Sequence, residues 1–450
     1  MAGDDIADLM PLIESRWDSV PLGNVTVFVN GDRGKNYPSQ SDYVSRGVPF
    51  ISAADLMDGR VDAGNCTFIT EAAFDRLGGG KTKEGDLLFC LRGSLGKVAR
   101  IRSIPRGAIA SSLVIIRATD QADRDYLYYI LSGPLGQRFA AELNNGSVQP
   151  NISARSLKES CIPLPPLAEQ KAIAAVLGSL DDKIELNRLM NATLEAMARA
   201  LFQSWFVDFD PVRAKLAGRI PVGMDDITAA LFSSTFQESS LGHVPNGWTV
   251  GNFGHVVAAA RERIGDSEAV VLSAVSSSNL VRSDEHFNKQ VYSKSISNYL
   301  KVRRWDFAYN PSRINIGSIG MLKESVVGAV SPVYEVFRPS ATYHWFVERA
   351  LAQPDVKIWI QTLCSGSVRQ SLKLRDLASI PLVIPHPSVV QAFNKTWEQW
   401  HELIQKNEKE SRTLATLRDT LLPKLLSGEL SVAEATGNRD FQVQPGMPKP

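Results

Sequence analysis

Several short motifs in this 450-residue sequence contain residue types that could carry out catalysis. Gly78–Thr82 resembles a phosphate-binding loop, but that pattern needs a glycine at position 75, where Asp75 stands, so a flexible basic loop is favoured. Asp208 and Asp210 could be paired metal-binding carboxylates. They are followed by Pro211 and surrounded by aromatic residues, which favours a helix end that docks aromatic side chains.

The remaining candidates for catalysis are incomplete. Asn310–Arg313 resembles the Asn-Pro-Pro-aromatic motif of amino-group DNA methyltransferases, but it lacks the second proline and the aromatic residue that stacks on a flipped base. The six histidines show no metal-ligand spacing. No glycine-rich cofactor-binding turn follows a strand-like run. The sequence therefore predicts neither a catalytic residue nor a metal site.

The composition is that of an ordinary globular protein, with 44% hydrophobic and 22% charged residues. A chain of this length is expected to form two or three domains. No membrane span or secretory signal is expected. The four scattered cysteines, which form no C-x-x-C pair, favour a reducing compartment, and we expect a cytoplasmic protein.

The formal net charge of +1 conceals two strongly basic segments. Residues 76–106 contain eight basic and two acidic residues, and residues 289–323 contain seven basic residues and one acidic residue. Two such segments suit a long polyanion such as duplex DNA, although a solvated charged face is the alternative interpretation of any single residue. The predicted DNA-binding residues are Lys81, Lys83, Arg92, Ser94, Lys97, Gln149, Lys301, Arg303, Arg304, Arg313, Asn315, Ser318 and Arg369.

These segments belong to an internal repeat with an offset of 220 residues. The offset superimposes Asp86 on Asp306, Gly146–Val148 on Gly366–Val368, and Arg155 on Arg375. The order of features is also repeated: an apolar run, Gly-Ser-Val, Arg-x-Leu, an apolar stretch ending in proline, and then a long helix.

Each half ends in a helix with a heptad pattern of apolar residues, which predicts a coiled-coil seam. The predicted seam of the first helix is Ile173, Leu177, Leu180, Ile184, Asn187, Asn191, Leu194 and Leu201, and that of the second is Phe393, Trp397, Trp400, Ile404, Asn407, Leu414 and Leu421. Two equal halves with similar helices predict an antiparallel pair. The polar residues at the middle of each seam are expected to face one another and fix the register, or else to be solvated where the coil splays.

The predicted fold is therefore mixed α/β, with two repeated globular domains separated by two long helices packed as an antiparallel coiled coil. The expected boundaries are a first globular domain at 1–160, a helical region at 161–210, a linker at 211–240, a second globular domain at 241–380, a helical region at 381–430 and a loose tail at 431–450.

The motifs around the helices resemble those of the specificity subunits of type I restriction-modification systems. Ile162–Gln170 leads into the first helix, Leu201–Pro211 ends it, and Leu421–Leu430 ends the second. The second helix entry, Pro385–Gln391, lacks the Ala-Glu-Gln of the first, which puts the equivalence of the two partner contacts in question.

The resemblance implies that each globular domain is a target recognition domain for one half of a split DNA site, and that the helices set the spacing. It also implies that two methylation subunits dock on the helical regions and that restriction subunits join them. S-adenosylmethionine, ATP and Mg would then bind to these partners, and this chain would be non-catalytic. The alternatives are a free-standing DNA-modifying enzyme and a coiled-coil adaptor with basic patches.

Overall fold

The computed structural model describes residues 16–102, 104, 106–146, 149–277, 279–286, 292, 293, 295–364 and 371–436. The strands of the first half are β1 (Ser19–Pro21), β2 (Thr26–Asn30), β3 (Tyr43–Val44), β4 (Val48–Ile51), β5 (Leu56–Met57), β6 (Arg60–Val61), β7 (Thr67–Ile69), β8 (Leu87–Cys90), β9 (Val98–Arg100), β10 (Ala108–Ile109), β11 (Leu113–Ala118) and β12 (Cys161–Pro163). Those of the second half are β13 (Phe236–Gln237), β14 (Val244–Pro245), β15 (Thr249–Asn252), β16 (Val257–Ala259), β17 (Val270–Val275), β18 (Asn279–Arg282), β19 (Leu300–Val302), β20 (Phe307–Tyr309), β21 (Ile319–Met321), β22 (Gly328–Val330), β23 (Glu335–Pro339) and β24 (Pro381–Ile384).

The helices alternate with these strands, and two of them are much longer than the rest. They are α1 (Glu71–Arg76), α2 (Arg124–Ser132), α3 (Pro134–Glu142), α4 (Ala154–Glu159), α5 (Leu167–Phe202), α6 (Asp210–Leu216), α7 (Asp226–Ala230), α8 (Ser283–His286), α9 (His344–Leu351), α10 (Pro354–Leu363), α11 (Leu374–Ala378), α12 (Pro387–Ser427) and α13 (Val432–Thr436). No helix among the described residues has the length and apolar character needed to cross a membrane.

The described residues form two compact units, and each unit takes part of both long helices. Unit 1 contains Met1–Arg188 with Asn407–Pro450, and unit 2 contains Leu189–Lys406. Each unit has its own large apolar core, in which residues of the sheets and short helices pack against residues of the long helices. The domain boundaries expected from the sequence remain a prediction.

The internal repeat corresponds to a repeated sheet. In unit 1 the main sheet contains the strand order β2-β11-β8-β9, and in unit 2 a four-stranded sheet has the order β16-β23-β20-β21. All of these neighbours are antiparallel, with Leu113 opposite Cys90 in unit 1 and Tyr309 opposite Glu335 in unit 2. The mixed α/β class and the two repeated globular parts are thereby confirmed.

Helices α5 and α12 are antiparallel within unit 1. Arg418 Nη1 lies 2.7 Å from Asp181 Oδ1, and Asn187 Nδ2 lies 3.3 Å from Ser411 Oγ. Asn187, which is fully buried, also donates to Glu410 Oε2 at 2.8 Å and to the backbone oxygen of Asn407 at 3.4 Å. The polar seam residues of unit 1 therefore face one another across the pair, as expected for a register-fixing contact.

The predicted seam residues are buried or half-buried within the unit to which each belongs. Helix α5 gives way at its end to a π-helical segment, Gln203–Val207. Helix α12 begins with Pro387 and is followed by Gly428 with φ of 75°, a left-handed backbone that suits glycine at a helix end.

The stretch expected to be a linker and the stretch expected to be a loose tail both contain short helices. Helices α6 and α7 lie within the expected linker. Residues Val432–Thr436 form α13 within the stretch expected to be a loose tail. Ser431 and Glu434 cap this helix reciprocally, with Oγ to Oε2 at 2.7 Å, and Val432 is buried. Residues 437–450 lie outside the described residues.

At the start of each long helix, a different amide side chain bonds that helix to the segment just before or at the start of a short helix. Gln170, the glutamine of the Ala-Glu-Gln motif, accepts the Asp123 N–H at 2.8 Å and donates to the Pro165 carbonyl at 2.8 Å, which ties α5 to the start of α2. In unit 2, Asn394 donates to the Thr342 carbonyl at 2.7 Å, just before α9. The missing motif at the second entry is therefore replaced by an amide one turn further along the helix.

Candidate nucleic-acid interface

Half of the basic residues in the segment 76–106 are neutralised by carboxylates from outside it. Arg76 pairs with Asp42 at 2.8 Å, and Arg106 pairs with Asp75 at 3.1 Å. Arg100 and Arg102 are also paired, as described below. Within the described part of the chain, no carboxylate forms an ion pair with the other four basic residues of the segment. These four are Lys81, Lys83, Arg92 and Lys97.

Several loops of unit 1 lie together at one end of the main sheet. Strands β2 and β8 finish where β9 and β11 begin, because Asn30 is opposite Val114, Cys90 is opposite Leu113, and Phe89 is opposite Val98. We refer to this end of the strands as the loop end of the sheet. The opposite end of the strands, where β8 begins and β9 finishes, is the helix end.

Four of the predicted DNA-binding residues lie together at the loop end of unit 1. Arg92, Ser94 and Lys97 occupy the β8–β9 connection, where Arg92 Nε donates to Asn151 Oδ1 at 3.1 Å. Gly93 N donates to the Pro150 carbonyl at 3.2 Å, which brings exposed Gln149 beside this connection. Ser94 and Lys97 are exposed, and Arg92 is half-buried.

Two further cations at this end were missed in the sequence. Arg33 and Lys35 follow β2, are exposed, and have no ion-pair partner among the described residues. The Gly78–Thr82 loop is bonded to the residue before Arg33. Gly78 N donates to Asp32 Oδ2 at 2.6 Å, so this amide is already occupied by a carboxylate. The signal available in the sequence was the position of Arg33 and Lys35 directly after a strand-like run.

The loop end of unit 2 is built in the same way. Strands β16 and β20 finish where β21 and β23 begin, and the β20–β21 connection holds exposed Arg313. The loop is hydrogen-bonded within itself, from Arg313 N to the Asn310 carbonyl at 2.9 Å and from Gly317 N to the Ile314 carbonyl at 2.9 Å. Arg261, which follows β16, is also exposed and was missed in the sequence.

Three other predicted residues of unit 2 have different outcomes. Ser318 is 3% exposed and donates its hydroxyl to the Ala274 carbonyl at 2.8 Å, so it supports the loop and is not part of the exposed surface. Asn315 is half-buried and has a partner within the chain. Arg369 and the second Gly-Ser-Val lie outside the described residues.

The remaining predicted cations lie away from the loop ends. Lys301 and Arg303 share the carboxylate of Glu262, at 2.9 and 2.6 Å, so one of their two positive charges is neutralised locally. Arg304 lies 4.3 Å from the ring centroid of Trp305, before β20. Lys83 precedes β8 and therefore lies at the helix end of its sheet. The predicted set is thus not confined to the loop ends of the two repeated sheets.

A buried carboxylate has the same role at the helix end of both sheets. Asp86 accepts two hydrogen bonds from Arg117, at 2.7 and 2.8 Å, and one from the Lys83 N–H at 2.7 Å. Asp306 accepts two from Arg338, at 2.6 and 2.8 Å, and one from the Arg303 N–H at 2.9 Å. Asp86 and Asp306 coincide at the repeat offset of 220, so the repeated aspartate holds neighbouring strands together.

The motifs considered for catalysis have structural contacts. Asn310 Oδ1 accepts the Ser312 N–H at 3.0 Å, which stabilises the turn after β20. Asp208 accepts from Gln203 Nε2 at 3.0 Å, while neighbouring Trp205 and Phe206 are buried in the core of unit 2. Phe209 is buried there too and adopts a left-handed backbone with φ of 55°. Among the described residues, no group of three or more His, Cys, Asp or Glu side chains is placed to hold a metal ion.

Comparison with known proteins adds a second line of evidence. Residues 14–196 match the family model described as the type I restriction modification DNA specificity domain. The MjaIX specificity subunit of a type I restriction enzyme from Methanocaldococcus jannaschii is 26% identical over 424 residues, which cover 87% of this chain and 89% of the relative. The chain is therefore similar to type I restriction-modification specificity subunits, and residues 14–196 match their DNA specificity domain.

Other specificity subunits are similar to this chain over most of their length. The HindI specificity subunit from Haemophilus influenzae is 25% identical over 354 residues, which cover 65% of this chain and 74% of the relative. The crystal structure of the type I restriction-modification S subunit from M. genitalium superimposes with a TM-score of 0.52 at 16% identity, over 91% of this chain and 96% of that one. At that identity the superposition supports the fold alone.

Proposed function

We propose that this chain is the DNA-reading subunit of a type I restriction-modification complex, in which each unit reads one half of a bipartite duplex site. The observation that carries the proposal is the repeated sheet with cations at its loop ends. Arg33, Lys35, Arg92 and Lys97 in unit 1, and Arg313 in unit 2, have no carboxylate partner among the described residues. Unpaired cations on loops suit phosphate contacts, and the neighbouring polar side chains suit base edges.

The long helices have a different role in this proposal. Antiparallel helices with a buried polar layer at Asn187 are stiff and have a single register, which is what a spacer between two half-sites requires. Two methylation subunits would dock on the helical regions, and restriction subunits would join that complex. The chain itself would be non-catalytic, with S-adenosylmethionine, ATP and Mg bound by the partners, and the complex would work in the cytoplasm.

The proposal is tested by mapping methylated adenines in the genome of a host that expresses this chain with its cognate methylation subunit. We expect methylation at one bipartite sequence with a fixed spacer, and none when this chain is omitted. Methylation by the partner alone at the same sites would contradict the proposal, and so would methylation by this chain without a partner.

Duplex binding by the whole chain gives a second, independent test. If several phosphates are contacted, the logarithm of the binding constant falls with the logarithm of salt concentration by about 0.9 per contact. A response that is flat in salt would instead favour an adaptor that binds proteins through its helices.

A further inference from the structure

One carboxylate in unit 1 joins the recognition sheet to both long helices. Asp181, on α5, has a side chain that is only 12% exposed. It accepts a hydrogen bond from Tyr129 Oη at 2.7 Å, from Arg100 Nη2 at 3.2 Å and from Arg418 Nη1 at 2.7 Å. These donors belong to α2, to the end of β9 and to α12. Four separate elements therefore meet at a single side chain.

The donors around Asp181 are held in place by further contacts. Arg100 also donates to Asp125 at 3.2 Å, and its guanidinium lies 3.9 Å from the ring centroid of Tyr128. Burial, with the nearby Asp181 charge, raises the pKa of the Tyr129 hydroxyl, so it remains a donor at all physiological pH values. Arg100 is thus held by contacts besides its bond to Asp181, and Tyr129 keeps the proton that it donates.

The neighbouring helix carboxylates make weaker links. Asp182 pairs with Arg102 at 3.2 Å, but both side chains are more than half exposed, at 67% and 53%. Solvent-exposed pairs of this kind contribute little to stability. Of these two adjacent aspartates, only Asp181 bonds to β9, α2 and α12 together.

Unit 2 uses different chemistry at the equivalent place. The repeat offset puts His401 at the position of Asp181 and Arg349 at that of Tyr129. His401 lies 4.9 Å from the ring centroid of Trp345, while Arg349 donates to Glu195 at 3.0 Å and lies over Trp397. The ionic junction on Asp181 is therefore a feature of unit 1, and its removal should affect one half of the molecule.

We propose that Asp181 is a positioning residue that sets how strictly the complex selects the spacer between the two half-sites. The reasoning rests on the proposed function. If unit 1 presents one half-site through the loop end of its sheet, any rotation of that sheet on the long helices moves the half-site along the duplex. Asp181 fixes this rotation because it bonds to the sheet and to α12 at once. It contacts no base, so half-site sequences should not depend on it.

The test uses the whole chain with its cognate methylation subunits and plasmids carrying the mapped site with spacers from two base pairs shorter to two longer. For Asp181→Asn we expect methylation at spacers changed by one base pair to rise about ten-fold relative to the native spacer, because at least one charge-assisted hydrogen bond is lost. Asp182→Asn is the matched control and should behave as the wild type. Tyr129→Phe removes one donor without changing a charge and should give a smaller rise.

The outcomes separate this inference from the proposed function. Unchanged spacer selection by folded Asp181→Asn, or by Tyr129→Phe if the first variant does not fold, would overturn the role of Asp181. Altered half-site sequences with a constant spacer would also overturn it. Wild-type protein that directs no sequence-specific methylation would overturn the proposed function, and this inference with it.

Discussion

The salt dependence of duplex binding should distinguish the cations at the loop end of unit 1 from those that are paired within the chain. Lys35→Gln with Lys97→Gln removes two exposed charges that have no carboxylate partner among the described residues. Arg102→Gln with Arg106→Gln removes two charges that are already paired, with Asp182 and Asp75. Both double variants change the net charge by the same amount.

The size of the expected effect follows from counterion release. Two lost phosphate contacts lower the slope of log binding constant against log salt by about 1.8, which corresponds to about 30-fold weaker binding at 0.15 M salt relative to a 1 M reference. The Arg102/Arg106 variant should change the slope by less than the Lys35/Lys97 variant does, since both of its side chains already have a carboxylate partner. Binding is measured by fluorescence anisotropy with a random-sequence duplex at four salt concentrations.

Equal changes in slope for the two variants would refute this reasoning. That result would mean that total charge, and not the pairing seen in the structure, decides which residues contact phosphate. A larger change for the Arg102/Arg106 variant would place the interface at the helix end of the sheet.

Three further predictions concern stability. Asp306→Asn should destabilise unit 2 by about 2 kcal/mol, seen as a lower urea midpoint, because the fully buried carboxylate loses its charge-assisted bonds to half-exposed Arg338. Asp376→Asn, at a partly exposed side chain, should cause no measurable shift. Burial, together with the charge of a nearby lysine, lowers the pKa of His401 to about 4, against an ordinary value near 6.5, so the folded state holds this ring neutral. The stability gained from the neutral ring is complete above about pH 6.5 and is lost as the pH falls towards 4. In His401→Gln, the free energy of unfolding should therefore depend less on pH between these values. An unchanged pH profile would contradict this role of His401. Gln170→Ala should lower the free energy of unfolding, measured by heat or urea, by about 2 kcal/mol because the Asp123 N–H and the Pro165 carbonyl lose their partner. Lys171→Ala, at an exposed position, is the control and should cause no such loss. Equal losses in the two variants would count against the role of Gln170.

The long helices and the repeat were predictable because their signals are periodic and regular. A heptad seam and a shared offset of 220 residues survive large changes in individual side chains, so they predicted α5, α12 and two repeated globular parts. The antiparallel direction followed from two equal halves. The contact between Asn187 and Ser411 could be predicted because polar residues at the middle of each seam must meet in such a pair.

The pairing of the basic residues was not predictable. A count of the charges in a segment does not distinguish Arg100 from Lys97. Arg100 forms an ion pair with Asp181 on α5, whereas Lys97 forms no ion pair among the described residues. The course of β9 decides this difference, since Lys97 directly precedes the strand and Arg100 is its last residue, so that they lie towards opposite ends of the sheet. Asp86 was visible as a repeated residue, but its bidentate bond to Arg117 depends on strand pairing.

The central claim is that each globular part reads one half-site, and a domain exchange tests it most directly. Residues 1–160 are replaced by the corresponding part of a specificity subunit with a different target, and methylated adenines are mapped in the presence of the cognate methylation subunit. We predict that one half-site changes to that of the donor while the other half-site and the spacer stay the same. Loss of the second half-site's identity, or no change in either half, would contradict the claim.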